Sequence, residues 1–284
     1  MEDERGPNSE HKQNNMSFLG HLEALRKVLL RSILVIGIFT VVAFIYYYEI
    51  FDTIILAPLK SSFPTYKIMC EVSQKLAAIS PALADANAGC FDKLPLEITT
   101  IDMGGDFSAV MLVSLIFGCL VASPFLFWQI WSFIRPALHK KEAGKARGFV
   151  FWTSVLFISG VLFGYYVISP LSINFLGTFS AHEMVKKMPT LNSYMGVLAT
   201  TTLATGLAFE LPVIMYLLSS FGIITPQFLR KFRKHAIVVI LIIAAIITPP
   251  DVFSQIVVSI PLIVLYEISI LLSAMIQRKK EKAA

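Results

Sequence analysis

Residues 236–275 read AIVVILIIAAIITPPDVFSQIVVSIPLIVLYEISILLSAM. Only two of these forty residues, Asp251 and Glu267, carry charge. Thr248-Pro249-Pro250-Asp251 cuts the run, because proline cannot donate to a helical ladder and disfavours helix in the residue before it. Ala236–Thr248 is 13 residues, about 20 Å as a helix, short of a hydrocarbon core of roughly 30 Å. The stretch 252–275 is long enough to cross. Basic clusters flank both ends of the pair, which favours two real spans over the alternative, a re-entrant hairpin. The short arm is expected to thin the bilayer locally or to be drawn into the protein.

Outward from this hairpin, the chain of 284 residues is 56% hydrophobic and 15% charged, against about 25% charged in soluble domains. Lipid is therefore the main solvent. Apolar runs place six spans at about 28–48, 107–134, 149–169, 192–220, 236–248 and 252–275. The fold class is an all-α integral membrane protein. Pro124, Pro212 and Pro261 fall inside spans, where each frees a carbonyl and can kink the helix. Unequal, kinked helices leave a concave scaffold. Residues 1–16 are a polar tail without a leader's cleavage site, residues 17–276 a membrane domain, and residues 277–284 a basic tail. In the long 49–106 loop, the apolar stretch 70–79 reads as a short interfacial helix.

Lysine and arginine set the orientation. The N-terminal segment holds five, the 135–148 loop five, the 221–235 loop four and the tail four, while the 49–106 loop holds four and the 170–191 loop two. The positive-inside rule then puts both termini in the cytoplasm. The net charge of +5 needs no nucleic acid to explain it.

Catalytic signatures are absent: there is no phosphate-binding glycine loop, HExxH or GxSxG, and no Cys/His spacing suits a metal. No cofactor is expected. Glu210 lies about 18 Å deep in the fourth span, behind Thr200, Thr201, Thr202 and Thr205. Such a carboxylate is a functional candidate, with a carboxylic acid bonded to a neighbouring helix as the plainer reading. Glu267 also lies within the membrane. Gln129 and Gln255 read as interhelical glue. Glu142 is the only acid in its basic loop; residue chemistry alone makes it a solvated surface acid. Cys70 and Cys90 share the 49–106 loop, and a disulfide and two free thiols are both open readings.

The ordered motifs say more. They are His21-Leu22-Glu23-Ala24-Leu25-Arg26, Ala57-Pro58-Leu59, Ser123-Pro124, Gln129–Glu142 (QIWSFIRPALHKKE), Phe209-Glu210-Leu211-Pro212, Leu229-Arg230-Lys231, Thr248–Gln255 (TPPDVFSQ) and Tyr266-Glu267-Ile268. In this order, over nearly all of 17–276, the chain resembles the TatC family, the large receptor subunit of the twin-arginine protein translocase. The resemblance implies a protein of the bacterial inner membrane that binds twin-arginine signal peptides. With single-span TatA/TatB-type partners and self-association, it would move folded proteins across the bilayer on the proton-motive force. It is not an enzyme.

The resemblance also assigns residues. Glu142, Arg26, Glu23, Phe133, Pro136 and Lys140 would form the signal-binding surface, with Glu142 pairing a signal arginine in a bidentate fork. Glu210, Gln129, Gln255 and Glu267 would be intramembrane polar positions for partner docking. Pro58, Pro124, Pro249, Pro250 and Asp251 would be structural turns. The family pattern has its glutamate where this chain has Ala24. Glu23 is one residue earlier, about 100° round the helix. The rival from another class is a proton-coupled carrier of a small solute using Glu210. It would predict inverted repeats and paired broken spans, which the sequence does not show.

Overall fold

The computed structural model describes residues 18–79, 90, 98–134, 146–179, 182 and 188–281. Among these the chain is helical, with no strand and a single parallel bridge, Thr99 to Thr190. Helices are α1 (Phe18–Ile45), α2 (Tyr47–Ile50), α3 (Pro64–Ile79), α4 (Gly105–Ile134), α5 (Ala146–Phe163), α6 (Ser169–Thr178), α7 (Leu191–Ala208), α8 (Leu211–Ser220), α9 (Pro226–Lys231), α10 (Arg233–Ile247) and α11 (Val252–Glu281). Five helical runs are long and apolar enough to cross a membrane: Leu22–Ile45, Gly105–Ile134, Gly148–Thr178, Leu191–Ser220 and Val252–Arg278. The sixth expected span is α10, whose 15 residues reach only about 22 Å.

Two expected boundaries move. The first crossing run ends at Ile45, not 48, and α2 and a π-helical turn, Phe51–Ile55, carry the chain on helically beyond it. The expected interfacial helix at 70–79 begins earlier, at Pro64, and runs 16 residues. Both extensions belong to a cap over one end of the bundle. Tyr66 is almost fully buried there, its hydroxyl 3.0 Å from the Pro58 carbonyl and 3.3 Å from that of Pro170. Burial pushes the Tyr66 phenol above its ordinary range, so it stays a donor. Tyr165 donates to the Ile54 carbonyl at 2.7 Å, and Tyr194 to that of Ile55. Below them Ile55, Val113, Ile173, Met195 and Leu198 form one buried cluster.

The prolines act in different ways. Pro124 leaves the Leu120 carbonyl without its amide, and the Ser123 hydroxyl supplies that carbonyl at 2.8 Å, so α4 runs on unbroken. Pro170 does the same to Tyr166, whose carbonyl accepts from Thr65 on α3. A π-turn, Gly164–Ile168, precedes it. At Pro212 the fourth span breaks outright between Ala208 and Leu211.

Helix α1 lies along α4, and the two backbones meet where α4 has no side chain. A Cβ on Gly118 would lie 2.3 Å from Thr40 Oγ1 and 2.8 Å from Thr40 N. The rest of α1 presents exposed apolar residues such as Leu29, Ile33, Leu34 and Ile45, as a lipid-facing helix does. Helices α10 and α11 form the expected hairpin. Ile240, Ala244, Val258 and Leu262 pack there with Ile168 and Phe209 in a second buried cluster.

Candidate functional site

The fourth span is pressed onto the third through glycine. A Cβ on Gly164 would lie 2.8 Å from the Thr201 carbonyl, one on Gly160 2.7 Å from Phe209, and one on Gly206 2.7 Å from Val161. Small residues at this spacing let membrane helices approach closely. The threonines before Glu210 serve the same contact. Ser169 Oγ is 2.7 Å from Thr201 Oγ1 and 3.5 Å from Thr202 Oγ1, and Thr205 donates back to the Thr201 carbonyl. Thr201, Thr202 and Thr205 are buried against α5 and the π-turn. The polar side expected on this helix is thus satisfied internally and makes no path to Glu210.

Glu210 sits in the break itself, as the residue before α8. Its carbonyl accepts from Val213 and Ile214, at 3.0 and 3.1 Å. Its side chain is 7% exposed, and neither carboxyl oxygen has a hydrogen-bond partner among the described residues. A carboxylate withdrawn from water without a partner costs several kcal/mol unless a proton or another group neutralises it. The backbone break, the absent proline donor and the unpartnered carboxyl therefore coincide at one level.

Two residues beyond Glu210 begins the wall of a largely apolar cavity of about 810 Å³. Pro212, Val213 and Tyr216 supply one side, the start of α5 around Phe149 and Trp152 another, and Trp131 and Leu265 the rest. Trp131 stacks on Phe149 with ring centres 4.0 Å apart, yet neither its indole N–H nor Thr153 Oγ1 has a hydrogen-bond partner among the described residues. The cavity opens among the end of α4, the start of α5 and the later half of α11. This is the end of the bundle that the 135–145 connection joins.

Pro136, Lys140 and Glu142 lie on that connection, outside the described residues. Arg26 and Phe133 are described. Arg26 is fourteen residues back along α1 from Thr40, and Phe133 is fifteen residues on along α4 from Gly118. Each stretch is about 21–22 Å of helix, so the antiparallel contact brings both to the same level, next to the 135–145 connection. Glu23 is exposed and ion-paired with Lys27 one turn on, at 2.8 Å.

The other named positions take local partners. Glu267 pairs with Arg233 at 2.8 Å, a contact across 34 positions that sequence spacing does not reveal. Gln255 Nε2 donates to the Leu241 carbonyl at 3.1 Å and ties α10 to α11, while Gln129 is buried in α4. Asp251 caps α11, Oδ1 accepting from Ser254 N at 2.6 Å, as acidic N-caps do. Cys70 and Cys90 are joined in a disulfide, with Cα atoms 4.6 Å apart. The Gly160-x-x-x-Gly164 spacing was the available signal for the α5–α7 contact, and the reading from sequence passed over it.

The family profile described as Sec-independent protein translocase protein (TatC) matches residues 20–261. A TatC of Blattabacterium from Periplaneta americana is 35% identical over 95% of this chain and 99% of its own length. The TatC of Helicobacter pylori strain J99 is 41% identical over 64% of this chain and 70% of its own. Among solved structures, a crystal structure of the twin-arginine translocase receptor TatC superposes with a TM-score of 0.66 at 30% identity, covering 90% of this chain and 99% of that one. A second, in the detergent DDM, gives 0.67 at 32% identity, covering 89% and 99%. By the family profile over residues 20–261 and the relative that is 35% identical over 95% of this chain, the chain belongs to the TatC family of Sec-independent protein translocase proteins.

Proposed function

We propose that this chain is the receptor subunit of a twin-arginine translocase in a bacterial inner membrane. It reads the signal peptide of folded precursors at the basic end of the bundle. There Arg26 and Phe133 share a level beside the connection that holds Pro136, Lys140 and Glu142. Glu142 pairs a signal arginine, because carboxylate and guanidinium match in a bidentate fork. The apolar cavity past Glu210 opens at this same end, so an apolar segment following the arginines has a place to enter. Single-span TatA/TatB-type partners dock on the intramembrane polar positions, Glu210 first among them, and the proton-motive force drives transport. The termini, flanking a membrane domain over 17–276, face the cytoplasm, since the basic connections lie on their side.

The observation that carries this reading is the end-to-end likeness to solved twin-arginine receptors. It favours the receptor over the solute carrier. The experiment is photocrosslinking from position 142 to a twin-arginine precursor. Crosslinks are expected with the arginine pair and lost when both arginines are changed to lysine. Equal crosslinking of the two precursors refutes the receptor reading.

A further inference from the structure

At the end of the bundle opposite the tyrosine cap, α9 and the last turns of α11 border a second, smaller, open cavity of about 200 Å³. Its walls are Pro226, Gln227 and Arg230 from α9, and Ala274, Gln277 and Arg278 from α11. The space is held open by structure. Leu229, next to Arg230, is 3% exposed, and its carbonyl accepts from the Tyr266 hydroxyl at 2.9 Å. That bond fixes the distance between the two helices. Ala274, one turn before Arg278, leaves the room between them. Two guanidinium groups therefore flank a cavity whose other polar side chains are amides. Neither Arg230 nor Arg278 is ion-paired among the described residues. Glu267, eleven positions before Arg278 in α11, is taken by Arg233, and the other acid of α11, Glu281, follows Arg278 by three positions.

The site also has a depth. Arg278 is the last residue of the membrane-spanning stretch of α11, and Arg230 precedes the entry of α10 by three positions. Both arginines thus stand at the ends of apolar, membrane-length segments, in a stretch that also carries Lys231 and Lys234. A planar guanidinium binds phosphate oxygens in pairs, and basic pockets between membrane helices are suited to anionic headgroups. The cavity, about 200 Å³, is of a size that a single headgroup can occupy.

We propose that Arg230 and Arg278 bind the phosphodiester headgroup of an anionic phospholipid in this cavity, fastening the α9 turn to α11 at the membrane surface. The assignment rests on the proposed orientation only for the leaflet that supplies the lipid. Its test reads bound lipid, so failure there is distinct from failure of the receptor reading.

The full chain is reconstituted in vesicles of equal parts phosphatidylcholine and phosphatidylglycerol. It is then extracted in mild detergent and examined by native mass spectrometry for retained phosphatidylglycerol. The double variant Arg230→Gln, Arg278→Gln is expected to retain it on the order of a hundredfold more weakly, as two charge-assisted contacts to phosphate at about 1.5 kcal/mol each imply. Ala274→Leu keeps both charges, fills the cavity and is expected to show a similar loss. Lys231→Gln with Lys234→Gln removes equal charge outside the cavity and is expected to change retention by no more than about twofold. Equal loss in this control means diffuse attraction and overturns the proposal. Unchanged retention in both cavity variants overturns it as well, leaving the arginines to a partner's carboxylate. Displacement of the lipid by millimolar inorganic phosphate would make the cavity a free-phosphate site and likewise overturn it.

Discussion

Gly164→Ala adds one methyl group and tests whether the third and fourth spans are held at backbone contact. The new Cβ would lie 2.8 Å from the Thr201 carbonyl oxygen, 2.9 Å from Thr202 Cα and 3.2 Å from Thr205 Cβ. Two of these three are backbone atoms, which cannot swing aside. Ordinary contact begins near 3.4 Å, so the helices must part by about 0.6 Å at this level. A gap of that size forfeits a quarter to a half of the dispersion energy of each separated pair. It also stretches the 2.7 Å bond between Ser169 and Thr201. Overpacking of this kind costs about 1–3 kcal/mol. In an open helix the same change gains up to about 1 kcal/mol, from the difference in helix propensity. Gly37 and Gly196 provide that comparison, since nothing lies within 4 Å of a Cβ at either. The assay is the thermal unfolding midpoint of each variant in detergent, with Gly37→Ala and Gly196→Ala in parallel. Gly164→Ala should be lowered and the other two equal to or above the parent. A Gly164→Ala variant as stable as Gly37→Ala would show that the two spans are not in backbone contact.

Other outcomes follow from the cap and from the break. Tyr66→Phe strands the Pro58 and Pro170 carbonyls beneath a buried ring and should cost about 1–2 kcal/mol, read as a lowered unfolding midpoint with helix content unchanged. Glu210→Gln removes the need to neutralise a buried carboxyl and should leave the midpoint equal or higher. If a partner's polar group bonds this carboxylate at about 1.5 kcal/mol or more, the same variant should export precursors on the order of tenfold more slowly; unchanged export removes Glu210 from the mechanism. Cys70 and Cys90 should resist thiol-specific labelling until a reductant is added, and changing both to serine should cost about 3 kcal/mol through the loop they close. Labelling of either without reductant refutes the bond in the mature protein.

The spans were legible because lipid imposes a length and a polarity that a sequence must show directly. Glu210 was legible for the same reason: one acid in an apolar run stands out. The limits of such reading lie where backbone geometry decides. Tyr46-Tyr47-Tyr48-Glu49 reads as the polar end of a span, yet the chain stays helical there because Ile55 and Pro58 are buried under Tyr66 and Tyr194. Pro124 and Pro212 look alike as letters. One is absorbed because Ser123 feeds the freed carbonyl, while the other ends its helix. Thr201, Thr202 and Thr205 share a face by spacing, but spacing does not say that Gly164 is what they meet. Arg233 and Glu267 belong to different helices and pair only once the hairpin closes. Glu142, on which the receptor reading depends, came from the motif order and not from residue chemistry.

The short arm and the broken span belong to one physical arrangement. Helix α10 falls about 8 Å short of a typical hydrocarbon core, and lipid beside it must thin or leave polar groups in contact with acyl chains. Ile240 and Ala244 of α10 pack in the same cluster as Phe209, so the short helix lies beside the break in the fourth span. Glu210, one residue past Phe209, thus occupies a level where the distance to water is reduced on one flank. A carboxyl at that place costs less than the same carboxyl in a full-thickness bilayer, and it has no hydrogen-bond partner among the described residues. Lengthening α10 would remove the thin flank and raise the cost of Glu210 without touching any of its neighbours.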